Sequence, residues 1–79
     1  MLFRRFRAPI WMWMSIGRHI RKPERLRRGR NVIVFEKGSN NWWERGWIYI
    51  HKDGRKAINC VDGIYELNQV EVYLDRSRK

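Results

Sequence analysis

The side chains best equipped for chemistry in this chain are arginines. Arg25, Arg27, Arg28 and Arg30 crowd one short stretch, and Arg18, Arg21 and Lys22 lie just upstream with His19 among them. A guanidinium stays charged at every relevant pH, and its planar fork meets a phosphate with two hydrogen bonds at once, so this strip suits a polymer of phosphates. Further along, aromatic rings are interleaved with cations: Arg45, Trp47, Tyr49, Lys52, Arg55 and Lys56. Rings can stack on unpaired bases for about 1–3 kcal/mol each while cations hold the backbone. Plainer readings compete with this one. A charge run can be an ordinary solvated face, and Trp47 and Tyr49 can be covered by the apolar segment around Trp11 and Trp13, or by a protein partner.

Catalysis is not expected. Ser15, Ser39 and Ser77 fall in the arm, a turn and the tail, and no paired carboxylates or histidine-centred constellation accompany them. Asp53 and Asp62 each precede glycine, the composition of a turn. Cys60 is the single cysteine, which rules out an internal disulfide, and with only His19 and His51 beside it the soft ligands are too few for a structural zinc site. Neither a cofactor nor a metal is expected, and Cys60 reads as a small buried strand residue.

Seventy-nine residues make one domain at most, with a formal net charge of +10. Chains this short bury only about 60% of the surface their unfolded form exposes. Residues 1–30 hold ten Arg and Lys against the single acid Glu24, whereas residues 31–79 hold eight against seven. The charge therefore belongs to a basic arm ahead of a nearly neutral domain, a footprint for polyanions.

Within the arm, Ala8 to Gly17 is an uncharged run of ten residues, half of the roughly 20 a spanning helix needs. A basic start, a short apolar centre and the triplet Ser15-Ile16-Gly17 mimic a secretory signal, but Pro9 and two tryptophans sit in that centre. The Arg-rich start also mimics a mitochondrial transit peptide, though serine is scarce. Interfacial membrane insertion is not expected, because the apolar residues are bunched instead of recurring at helical spacing. Location in the cytoplasm or with nucleic acid is favoured over mitochondria or secretion.

The elements that must position these groups are short strands. Asn31 to Glu36 is a continuously apolar, β-branched run, and the turn formers Lys37 to Asn41 follow it. A long strand is predicted from Trp42 to His51, and Asp53-Gly54 turns it into residues 55–61. Asp-Gly between strand-prone runs is a strong hairpin signal, because a type I′ turn needs positive φ at both central residues. A second Asp-Gly at 62–63 leads into 64–67, Asn68-Gln69 makes a brief break, and 70–74 is the last strand. Five short strands with tight turns favour a small closed barrel, since closure removes exposed edges. The chain thus divides into a basic N-terminal arm over 1–30, the β-barrel over 31–75 and a basic tail over 76–79.

The layout Gly29-Arg-Asn-Val-Ile-Val, Trp43-Glu-Arg-Gly-Trp-Ile, Asp53-Gly54, Asp62-Gly63 and Val70-Glu-Val-Tyr-Leu resembles the SH3-like barrels over residues 28–75. Within them it is most similar to Tudor-like modules and to the C-terminal DNA-binding domains of retroelement and retroviral integrases. The resemblance implies a mainly β, five-stranded SH3-like barrel that binds nucleic acid or a modified protein. It departs from the methyl-lysine and methyl-arginine readers in offering only Trp42, Trp43 and Tyr65 for an aromatic cage. The glycine-lysine signature of the KOW ribosomal modules is absent.

Strand alternation sets what the hairpin presents. With Ile48 and Ile50 inside, Gly46 shares the inner face and Trp47, Tyr49 and His51 point out. The opposite register would bury His51 and expose two isoleucines. Ile58 and Cys60 then point in, leaving Lys56, Ala57 and Asn59 for the outer face or rim. The expected core is Val32, Val34, Ile48, Ile50, Ile58, Cys60, Leu67, Val70 and Val72. The function read from these residues is non-enzymatic binding of DNA or RNA. Phosphates would be held by Arg18, Arg21, Lys22, Arg25, Arg27, Arg28 and Arg30, and the hairpin residues Arg45, Trp47, Tyr49, Lys52, Arg55 and Lys56 would orient or stack. The alternative is a protein-interaction module, an assembly or inhibitory factor, docking through Trp11, Trp13, Trp42 and Trp43. Oligomeric state stays open.

Overall fold

The computed structural model describes residues 14–38 and 43–77. Trp11, Trp13 and Trp42 lie outside the described residues. Strands β1 (Ile16–Ile20), β2 (Asn31–Glu36), β3 (Trp43–Ile50), β4 (Lys56–Cys60), β5 (Gly63–Glu66) and β6 (Val70–Asp75) form one antiparallel sheet in the order β1-β6-β2-β3-β4-β5. Single 3-10 turns at Pro23–Arg25 and Leu67–Gln69 interrupt the strands. No helix among the described residues is long and apolar enough to cross a membrane.

The strands after Asn31 stand where the apolar runs and turn residues put them. Two features correct the five-stranded closed barrel. Among the described residues there are six strands, and the sheet does not close: its order ends on β1 and β5, which do not pair with each other. The extra strand comes from the basic N-terminal region. It takes the outer edge of β6, with Ile16 opposite Asp75 and Ile20 opposite Val72 around an irregularity in register. Gly17 permits this approach, because a Cβ there would come within 3.0 Å of the Leu74 carbonyl oxygen and 2.8 Å of Arg76 Cγ.

The Asp53-Gly54 hairpin forms with a different turn from the one its sequence suggests. His51 N–H donates to the Arg55 carbonyl at 2.7 Å and Gly54 N–H to the His51 carbonyl at 2.9 Å, so the loop holds three residues. Gly54 alone takes the left-handed conformation the bulge requires, at φ +93°. This is the geometry of a type I turn closed by a glycine bulge. Asp53 stays in the turn as an acceptor, with Oδ1 taking the Arg55 N–H at 3.1 Å.

The inner face of the sheet carries the main core: Val32, Val34, Ile48, Ile58, Cys60, Val70 and Val72, with Leu26, Leu67 and Tyr65 packed against it. Ile50, expected in that core, is only half-buried, because it lies at the turn end of the hairpin opposite Lys56. A second cluster on the outer face, Ile33 and Phe35 with Ile16, Trp43 and Tyr73, was not expected. It follows from β2 being apolar at consecutive positions, which is how a strand covered on both faces reads.

Among the described glycines Gly46 leaves the least room for a side chain, since a Cβ there would lie 2.6 Å from the Asn59 carbonyl oxygen and 2.9 Å from both Cys60 Sγ and Ile58 Cγ2. Backbone cannot move aside for it without breaking the β3–β4 ladder. Gly46→Ala is therefore expected to destabilise the fold by about 1–3 kcal/mol, the usual cost of overpacking. A urea unfolding midpoint equal to that of the parent chain would show that the β3–β4 register is not the one described.

Candidate nucleic-acid interface

The arginine-rich stretch is held as a structured turn. Arg30 N–H donates to the Arg27 carbonyl at 3.2 Å, with Gly29 at φ +86° between them. That positive φ at the third position of a four-residue turn is what glycine supplies without steric cost. Two further backbone bonds fasten the turn to β3: Gly29 N–H to the Ile48 carbonyl at 2.9 Å and Ile48 N–H to the Arg30 carbonyl at 3.0 Å. The second anchor is Lys56, whose Nζ donates to the carbonyls of Glu24 at 2.9 Å and Leu26 at 2.6 Å. Leu26 packs on the inner core.

These fixings open a cleft of about 520 Å³ between Gly17 and Arg18 of β1, the turn from Arg27 to Asn31, and Leu74 to Arg76 at the end of β6. Five arginines line it, namely Arg18, Arg27, Arg28, Arg30 and Arg76, against the one acid Asp75. A neighbouring cleft of about 710 Å³ shares Arg18 and adds Arg21, Lys22 and Arg25. The seven cations expected to hold phosphates thus line adjoining clefts. Among the described residues none of these side chains is in an ion pair. Arg76 joins them from the C-terminal side, a neighbour that spacing along the chain could not indicate.

Asp75 does not neutralise the cleft, because its charge is already matched. It is 1% exposed and lies 3.2 Å from Arg45 Nε, while its Oδ1 accepts from the Ser77 N–H at 3.1 Å and hydroxyl at 2.7 Å. Arg45 also donates to the Ser77 hydroxyl at 3.0 Å and to that of Ser15 at 3.4 Å. The Arg45 side chain, 29% exposed, is held inside this network.

The hairpin cations are placed differently from the arginine turn. Arg55 bonds Asp53 at 2.9 Å and Glu66 at 3.1 Å, and Glu66 also meets His51 at 3.2 Å. The hydrogen bond from the Arg55 side chain, then the one from its backbone, hold the Asp53 carboxyl below the ordinary carboxylate value. Lys56 is turned inward onto carbonyls, and Lys52 projects into solvent. On the outer face of β3, Trp47 keeps 41% of its surface, so it is neither buried inside nor fully covered. Tyr49 is half-buried and meets the His51 ring edge to face, with centroids 5.2 Å apart.

Trp43 and Tyr65 do not converge. Trp43 packs with the outer cluster and Tyr65 with the inner one. Burial and then the hydrogen bond to Asp62 raise the Tyr65 hydroxyl above its ordinary pKa. Among the described residues no three His, Cys, Asp or Glu side chains gather as a metal site would need. Comparison with protein-family models, with curated proteins and with solved structures gives no match.

Since Lys56 supports the arginine turn from beneath, Lys56→Met is expected to cost about 1–2 kcal/mol of stability through two lost charge-assisted bonds. It should also speed amide hydrogen exchange at Arg25, whose N–H bonds the Lys22 carbonyl, and at Leu26, whose N–H bonds the Pro23 carbonyl. Unchanged exchange at both amides would refute the anchoring role.

Proposed function

We propose that the protein binds nucleic acid without catalysing a reaction on it. The cations of residues 18–30, joined by Arg76, supply sequence-independent affinity, and the β3–β4 hairpin orients what they hold. The observation that carries this reading is the contrast in charge pairing. Among the described residues, cations of the hairpin and β3 mostly meet acids or carbonyls of their own chain, whereas those lining the two adjoining clefts do not. Uncompensated guanidinium groups held at close quarters repel one another, and a polyanion relieves that repulsion.

An SH3-like fold, opened and extended by β1, is part of the same proposal. Its support is the consecutive pairing of β2 through β5 and the return of β6, after one 3-10 turn, to the far side of β2. The protein-docking reading has its own support in the exposed Val61 and in the exposed Ile64, which follows Trp47 and Asn59 across the sheet. A protein partner retained in a pull-down after nuclease digestion would favour it.

Neutralising about six phosphates should make log K fall with log salt at a slope of about −5 on duplex DNA. Replacing Arg25, Arg27, Arg28 and Arg30 with Ala should weaken binding to all sequences alike and flatten that slope by up to about 4. Titrations that stay flat from low to moderate salt would rule this mechanism out.

A further inference from the structure

Beside the arginine cleft stands a row of side chains whose polar groups have no hydrogen-bond partner among the described residues. Asn31 is paired with Trp47, and Trp47 with Asn59, in the antiparallel registers of β2, β3 and β4. Directly opposed residues project to the same face with Cβ atoms about 4.5–5.5 Å apart. Trp47, 41% exposed, is therefore flanked by a half-buried carboxamide on each side. Among the described residues neither carboxamide nor the indole N–H has a hydrogen-bond partner. Asparagine is depleted in strands, where β-branched residues pack better, so two of them beside an exposed tryptophan run against local preference. Such local violations concentrate where a site needs a particular group.

We infer that this row is a nucleobase site selecting unpaired strands. The base lies on the indole of Trp47, the carboxamides of Asn31 and Asn59 meet donors and acceptors on its edges, and the adjoining phosphate enters the arginine cleft. A carboxamide carries an acceptor and two donors together, which complements the mixed edges of a base. Asn31 makes the connection, since it lines the arginine cleft and also borders Trp47. Past Asn59 the row continues to Ile64, 45% exposed, which extends the apolar floor. A duplex keeps its bases stacked and paired inside, so it can use the cleft but not the ring. The inference rests on the nucleic-acid reading above and narrows its ligand to single strands.

The test uses the full chain with labelled oligo-dT, oligo-dA and oligo-rU, and with a DNA duplex of equal length, followed by fluorescence anisotropy at one salt concentration. Trp47→Ala should weaken single-strand binding by about ten-fold and change duplex binding by less than about two-fold. Trp47→Phe keeps a stacking ring and should retain most of the affinity, which separates loss of stacking from damage to the sheet. The double variant Asn31→Ala with Asn59→Ala should alter the ratio of affinities among the three homopolymers without changing the salt slope. The base site is overturned if Trp47→Ala weakens duplex and single strands equally. It is equally overturned if both are untouched while the arginine substitutions still weaken them, and that result leaves the phosphate reading standing. A parent chain whose binding ignores salt removes both.

Discussion

The arrangement depends on a pair of backbone hydrogen bonds that join the arginine turn to Ile48 at the centre of β3. Gly29 N–H and the Arg30 carbonyl meet the carbonyl and N–H of one residue at 2.9 and 3.0 Å. Ile48 is fully buried in the inner core, so the turn is bonded directly to a core residue of the sheet. Arg27, Arg28 and Arg30 are consequently fixed to the sheet and line one cleft with Asn31, the residue paired with Trp47. Lys56 reinforces the join from below by holding the carbonyls of Glu24 and Leu26.

That attachment sets the electrostatics. Net charge belongs to the whole molecule, but the field at a surface depends on which charges are already answered. Asp75 answers Arg45, and Asp53 with Glu66 answers Arg55. The turn between β1 and β2 has only Glu24 as an acid, and among the described residues its cations form no ion pair. The burial of Asp75 matters here, because a carboxylate free to swing into the cleft would meet the arginines that line it.

The outer face also explains why the sheet tolerates polar residues next to a tryptophan. Ile33 and Phe35, with Ile16, Trp43 and Tyr73, cover β1, β6, β2 and the start of β3 on that face, while Asn31, Trp47 and Asn59 occupy the adjoining part over β2 to β4. Stability on this face comes from the first group, which leaves the second free to be chosen for what it can contact. A single six-stranded sheet thus supports a packed inner face, a sealed half and an accessible half of its outer face.

Much of this could be read from the sequence alone, and for local reasons. The strand positions after Asn31, the inward facing of Gly46, Ile48, Ile58 and Cys60, and the concentration of positive charge ahead of Asn31 all follow from period-two alternation, turn residues and counting. The second apolar cluster was implicit in the unbroken run from Val32 to Phe35, although only its partners on other strands show what covers it. Strand β1 was not legible, because Ile16-Gly-Arg-His-Ile20 has no alternating pattern and becomes a strand through the open edge of β6. The partners of Arg45 and Lys56 lie about 30 positions away in the chain, so their roles were decided by tertiary contacts. Arg76, Asn31 and Asn59 joined the candidate site in the same way. Composition alone determined that the chain is rich in cations and aromatics, and the folded sheet decided which of them remain available, because charge pairing and burial are set by neighbours in space.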